Sequence, residues 1–97
     1  MQLDTIVRFH AREGQEEIIA AAMRDAASDV RAEPGCLGID YFRSTRDRRL
    51  FYIHSRWRDE AAFEVHADLP HTVRFLERVT PAIDHELQVS RVMRLDF

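Results

Sequence analysis

Ninety-seven residues suffice for one domain spanning 1–97, and a chain of this size buries only roughly 60–65% of its unfolded surface, so its core is thin and self-association would add to it. A hydrophobic share of 45%, a charged share of 32% and a net charge of -3 exclude a disordered chain and give no electrostatic case for a nucleic-acid partner. Every basic residue is arginine, which excludes lysine Schiff-base chemistry.

The opening MQLDTIVRFHAREGQ has no basic segment followed by a long apolar run, so no signal peptide is expected. No run approaches the roughly 20 apolar residues that cross a bilayer. Cys36 is the single cysteine; it rules out an internal disulfide and fits a cytoplasmic protein. Leu3 to His10 alternates, with Leu3, Thr5, Val7 and Phe9 on one side, and is expected as a strand. After Gly14, Gln15 to about Ala32 has helical spacing: Ile19, Met23, Ala26 and Val30 form a stripe, with Ile18 and Ala22 beside it. Glu33-Pro34-Gly35 ends that helix. Cys36 to Ser44 and Leu50 to Trp57 read as two strands joined by a charged hairpin loop. Asp59 suits the N-cap of a helix from Glu60 to about Ala67. Pro70 suits the first turn of another through about Val79, with Val73, Leu76 and Val79 as its inner stripe and Pro81 as its stop. Leu87 to Leu95 alternates again, with Leu87, Val89, Met93 and Leu95 on one side.

Strand, helix, strand, strand, helix pair, strand is the order of a ferredoxin-like α+β sandwich. Right-handed crossovers put the helices on one face of a four-stranded antiparallel sheet. In the third strand Phe51, Ile53 and Trp57 share one side, and Leu50, Tyr52 and His54 the other. Bulky groups on both faces depart from the clean alternation of an open sheet. They point to a homodimer with sheet faces packed together, a dimeric α/β barrel.

The residues Glu33-Pro34-Gly35-Cys36-Leu37-Gly38, Phe51-Tyr52-Ile53, Trp57, Ala62-Phe63, His66, Pro70-His71 and Phe75 give the joint pattern EPGCLG, W-x8-H and H-x3-PH. With it the chain resembles the antibiotic biosynthesis monooxygenase-like domains, small dimeric α+β barrels, over nearly its whole length. Those relatives include cofactor-free quinol and anthrone oxygenases, haem-degrading enzymes and a signal-molecule isomerase. The resemblance implies a cofactor-independent monooxygenase, an oxidoreductase of small phenolic, quinol or polyketide-like aromatics. An isomerase or other proton-transfer enzyme, and a non-catalytic dimeric ligand-binding protein, stay open beside it. Many relatives carry a glutamate two residues before the aromatic that ends the third strand; here that position is Ser55. The chain has no asparagine, and histidine stands at 66 where haem-degrading relatives have tryptophan, so haem degradation is disfavoured.

His66 and His71 are the candidate bases, because imidazole can take a proton from a phenol or enol near neutral pH. The alternative is a structural role at two helix ends. Trp57, Phe63 and Phe75 are the expected apolar walls, although Trp57 fits the core at least as well. Tyr52 and His54 could line a cavity or a dimer interface. Cys36 reads as a small buried hydrophobe. His66 and His71 with His85 and Asp68 match no compact ligand spacing such as HExxH, so no metal and no cofactor are expected. The pocket is expected between the helices and the sheet, around the break after Ala67.

Overall fold

Strand β1 (Leu3–His10) alternates because one of its faces is covered: Leu3, Thr5 and Phe9 are buried, while Ile6 on the other face is 41% exposed. In the computed structural model, which describes residues 1–97, β1 lies inside a four-stranded sheet. Helix α1 (Glu16–Arg31) leads to β2 (Cys36–Arg43) and β3 (Leu50–Trp57). Helices α2 (Glu60–Asp68) and α3 (Pro70–Val79) and a 3-10 turn over Thr80–Ala82 precede β4 (Gln88–Val92). The order across the sheet is β2-β3-β1-β4, with every pairing antiparallel. This is the expected ferredoxin-like α+β arrangement.

The covered face carries the core. Phe51, Ile53, Ser55 and Trp57 of β3 are buried in strict alternation. Phe9 and Phe51 stack at 5.9 Å. Ile19, Ala22, Met23 and Val30 of α1 close over them, whereas Ile18 faces out, 44% exposed. Only 18 of 97 residues are buried, which makes the core as thin as the length predicts. On the uncovered face Tyr52 and His54 are half-buried, and His54 Nε2 bonds Asp4 Oδ2 at 3.0 Å.

Local signals set the helix ends. Gly14, at φ +83°, makes the turn into α1 that a side chain would strain. The Asp59 carboxylate accepts from the Ala62 N–H at 2.9 Å and starts α2. Pro70 opens α3 at its first turn, where its missing N–H costs nothing. Gly35 is tight for another reason: a Cβ there would come within 2.4 Å of the Ala62 Cβ. The turn between α1 and β2 therefore packs directly on α2.

Two elements differ from expectation. The inner face of α3 is Thr72, Phe75, Leu76 and Val79, and Val73 is 42% exposed. Steps of three residues, as in 73, 76 and 79, rotate off a 3.6-residue helix; steps of three and four hold one face. Strand β4, the outermost strand on its side of the sheet, ends at Val92 and is exposed throughout. Met93 and Leu95 are 57% and 66% exposed.

A polar tie holds the end of β1 away from Trp57. His10 Nδ1 is 2.6 Å from Asp84 Oδ2, and its Nε2 is 2.9 Å from Asp47 Oδ2. Arg49 reaches Asp84 at 3.5 Å and His85 stacks on His10 at 6.3 Å. The Asp84 hydrogen bond lifts the His10 pKa above its ordinary 6.5; burial opposes it and Asp47 adds to it. The tie joins the hairpin loop and the lead into β4 to the central strand. A raised imidazole stabilises the fold below its ordinary pKa and loses that contribution as pH rises through the raised value. Asp47 is lowered by the Arg49 N–H and Asp84 by His10, so their share is lost in acid. The thermal midpoint of the wild type should exceed that of His10→Ala most between about pH 5 and 6.5. The gap should narrow toward pH 8–9 on the same linkage; a gap that widens with pH would refute the tie.

Candidate functional site

Helix α1 ends at Arg31, and the chain turns through Glu33, whose N–H donates to Val30 O at 3.1 Å. The turn points the Glu33 side chain inward, where it is 8% exposed. His66 lies in the last turn of α2 and His71 directly after Pro70 of α3. The break between the two helices brings both rings to one carboxylate oxygen. His66 Nδ1 is 2.8 Å and His71 Nε2 2.7 Å from Glu33 Oε2. Their side chains are 15% and 16% exposed.

A carboxylate only accepts hydrogen bonds, so this geometry assigns a proton to His66 Nδ1 and to His71 Nε2. That leaves His66 Nε2 and His71 Nδ1, which no other group of the chain engages. Thr72 Oγ1 lies 3.3 Å from His66 Nδ1. Trp57 and Phe63 hold the His66 ring from its sides, with centroids 4.6 and 5.8 Å away.

Beside the histidines is a cavity of about 240 Å³. Its walls are mostly apolar: Phe63, Phe75, Leu76, Val30, Ile39, Ile53, Leu87 and Val89 among them. The polar groups are Thr5, Tyr41, Ser55, His66, His71 and Thr72. Burial pushes the Tyr41 phenol up to about 12, against a nearby Arg31, so it can donate a hydrogen bond but not act as a base near neutral pH. Ser55 is bound on two sides, by the Thr5 hydroxyl and by the Trp57 indole N–H at 2.9 Å. Cys36 is half-buried, and burial raises its thiol pKa, which leaves little thiolate.

The cavity lies between the helices and the sheet, around the α2–α3 break. His66, His71, Phe63 and Phe75 line it. Trp57, Tyr52 and His54 do not. Trp57 is fully buried because it ends β3 under α2, and it backs His66 instead. Tyr52 and His54 alternate onto the uncovered face. His85, weighed with the histidines for metal, pairs with Asp84 instead, at 2.6 Å.

From the sequence alone Glu33 reads only as part of the turn that ends α1. A signal was present: an acid just past a helix C-terminus meets the negative end of the dipole, a poor place for it without partners. Position 55 holds no carboxylate, yet one reaches the histidines from another element.

The family model described as antibiotic biosynthesis monooxygenase matches residues 5–78. The solved structure of PA3566 from Pseudomonas aeruginosa is 30% identical, with a TM-score of 0.90, over 98% of this chain and 95% of that one. Rv0793 from Mycobacterium tuberculosis is 23% identical, with a TM-score of 0.93, over 100% and 98%. A Bacteroides thetaiotaomicron protein of unknown function, described as a possible oxidoreductase, is 19% identical with a TM-score of 0.87, over 94% and 95%. No curated protein matches the sequence.

Glu33→Ala should leave the His71 ring N–H without an acceptor, at about 1–3 kcal/mol, and leave His66 Nδ1 with only the Thr72 hydroxyl at 3.3 Å. His71→Ala leaves Glu33 bonded to His66 and should cost less. Urea unfolding of both variants checks the order, and a larger loss in His71→Ala would contradict it.

Proposed function

The chain belongs to the antibiotic biosynthesis monooxygenase family, and we propose that it is a cofactor-independent monooxygenase of small phenolic or quinol substrates. The observation that carries this reading is the buried Glu33 holding two imidazoles at the edge of an apolar cavity. With Glu33 taking the N–H of each ring, His66 Nε2 or His71 Nδ1 is left to accept a substrate proton. The imidazolium that forms sits beside the carboxylate, which stabilises it.

Deprotonation makes an electron-rich anion, and this anion is itself the reductant. It passes one electron to dioxygen, the radical pair closes to a carbon-bound peroxide anion, and this anion takes the proton back from the imidazolium to give the hydroperoxide. Loss of water across the O–O and C–H bonds leaves a carbonyl. For a CH₂ centre the balance is CH₂ plus O₂ to C=O plus H₂O, with no other oxidant or reductant. Phe63 and Phe75 would hold the aromatic ring, and the Tyr41 phenol could donate to its oxygen. At about 240 Å³ the cavity falls below the roughly 300–1,000 Å³ of drug-sized sites. That favours one or two rings over a larger polyketide.

An isomerase would use the same proton removal without oxygen, and a ligand-binding protein would do neither. An oxygen electrode with a panel of small quinols and phenols separates the three. Uptake matched to substrate loss is the expected result, and His66→Ala or His71→Ala should lower it by about 10²–10⁴-fold. Substrate loss without uptake points to the isomerase, and binding without turnover to the carrier. Normal turnover in both folded variants would end the histidine mechanism.

Family members are typically dimers, and the uncovered sheet face leaves Ile6 and Phe42 41% and 51% exposed. We place a second copy there. Sedimentation should give twice the 11.4 kDa chain mass; a monomer at micromolar concentration would exclude the pairing. No helix is long and apolar enough to cross a membrane.

A further inference from the structure

We propose that Glu33, His66 and His71 also form a binding site for one late first-row divalent cation of the Zn²⁺ type, and that this ion and the proton-transfer chemistry exclude one another. The binding half stands on geometry alone; the exclusion half rests on the function proposed above.

Two imidazole nitrogens and one carboxylate oxygen are a donor set suited to such ions. The three ligand atoms lie within 4.8 Å of one another. A tetrahedral ion with bonds of about 2.0–2.1 Å sets its ligands roughly 3.3 Å apart. The two nitrogen–oxygen distances, 2.8 and 2.7 Å, need to open by about half an ångström on that geometry. Both rings hang on side-chain torsions that can make this change without moving a helix. Three elements bring the ligands together: the α1–β2 turn, the end of α2 and the start of α3.

Charge favours occupancy. Glu33 is buried and no arginine pairs with it; its two ion-pair partners are the histidines. A buried carboxylate with no fixed cation beside it is costly, and a divalent ion would supply that charge. The outer ring nitrogens have no carboxylate or carbonyl of the chain behind them, the support that commonly tightens histidine–metal sites. Affinity near micromolar is therefore expected rather than the tighter binding of a structural site.

Ion and base compete for tautomers. The base needs its protons on His66 Nδ1 and His71 Nε2, facing Glu33. The ion needs lone pairs on those same two atoms, which moves each ring proton to the outer nitrogen. A metal-loaded histidine then has no lone pair left for substrate.

Trp57 supplies the readout. It is the only tryptophan, and its ring lies 4.6 Å from that of His66. Chelator-treated protein would be titrated with Zn²⁺ by calorimetry and with Co²⁺ by tryptophan emission. One equivalent should bind, Co²⁺ should quench most of the emission, and excess Zn²⁺ should restore it. His71→Ala and Glu33→Gln should each weaken binding at least tenfold, while His10→Ala, at the other histidine–aspartate cluster, should leave it unchanged. Absence of saturable binding, binding undiminished in folded His71→Ala, or binding lost in His10→Ala would overturn the site. If the protein consumes oxygen with a quinol, one equivalent of Zn²⁺ should stop it. Full uptake by the loaded protein would overturn the exclusion and leave the site standing.

Discussion

One buried carboxylate oxygen accepts from two imidazoles, and much of the local structure follows from that demand. Glu33 could not be buried alone; an unpaired carboxylate in a thin core would cost more than such a small domain can spare. Its partners must come from elements that end close to it. Helix α2 stops at Asp68 and α3 restarts at Pro70, and this break delivers His66 and His71 to the same atom. An unbroken helix across 60–79 would project residues five apart at well-separated angles, and the two rings would not converge.

The same break gives the cavity its opening. Where α2 and α3 part, the cover over the sheet is incomplete, and the space is lined by side chains too short to fill it: Thr5, Ala26, Ala67 and Thr72. Below it the polar atoms of Thr5, Ser55 and Trp57 satisfy one another. The cavity floor therefore presents few unmet hydrogen bonds, and its histidine edge presents two ring nitrogens without partners. Such a division is that of a small-molecule site, mostly apolar with a few placed polar groups.

Elements were legible in the sequence where one physical signal dominated. Strict alternation gave β1 and β3 their bounds, and Asp59 and Pro70 marked two helix starts. The phase of α3 was harder, because Val73 and Phe75 are both apolar and only the sheet decides which faces in. The bounds of β4 could not be read at all: its alternation continues past Val92, but pairing with β1 stops there. At the site, His66 and His71 stood out as imidazoles at helix joints. Glu33 did not, because acids are common in turns and its meaning depends on contacts 33 and 38 residues away. Trp57 read as core more than as wall, and it is 0% exposed.

Arginine replaces lysine throughout, and the guanidinium groups are used partly as flat covers. Arg43 lies over Phe51 at 4.8 Å and Arg91 over Phe63 at 5.1 Å, where Arg91 also meets Glu60 and Glu64. Guanidinium stays protonated across the physiological range, so it is a poor nucleophile. The chain thus offers no side-chain amine, and its one thiol is half-buried with a raised pKa. Quinones and related oxidised aromatics are electrophiles that add to amines and thiolates. A protein so composed presents few amines or thiolates to such electrophiles, and would be arylated at those groups more slowly than a lysine-rich neighbour.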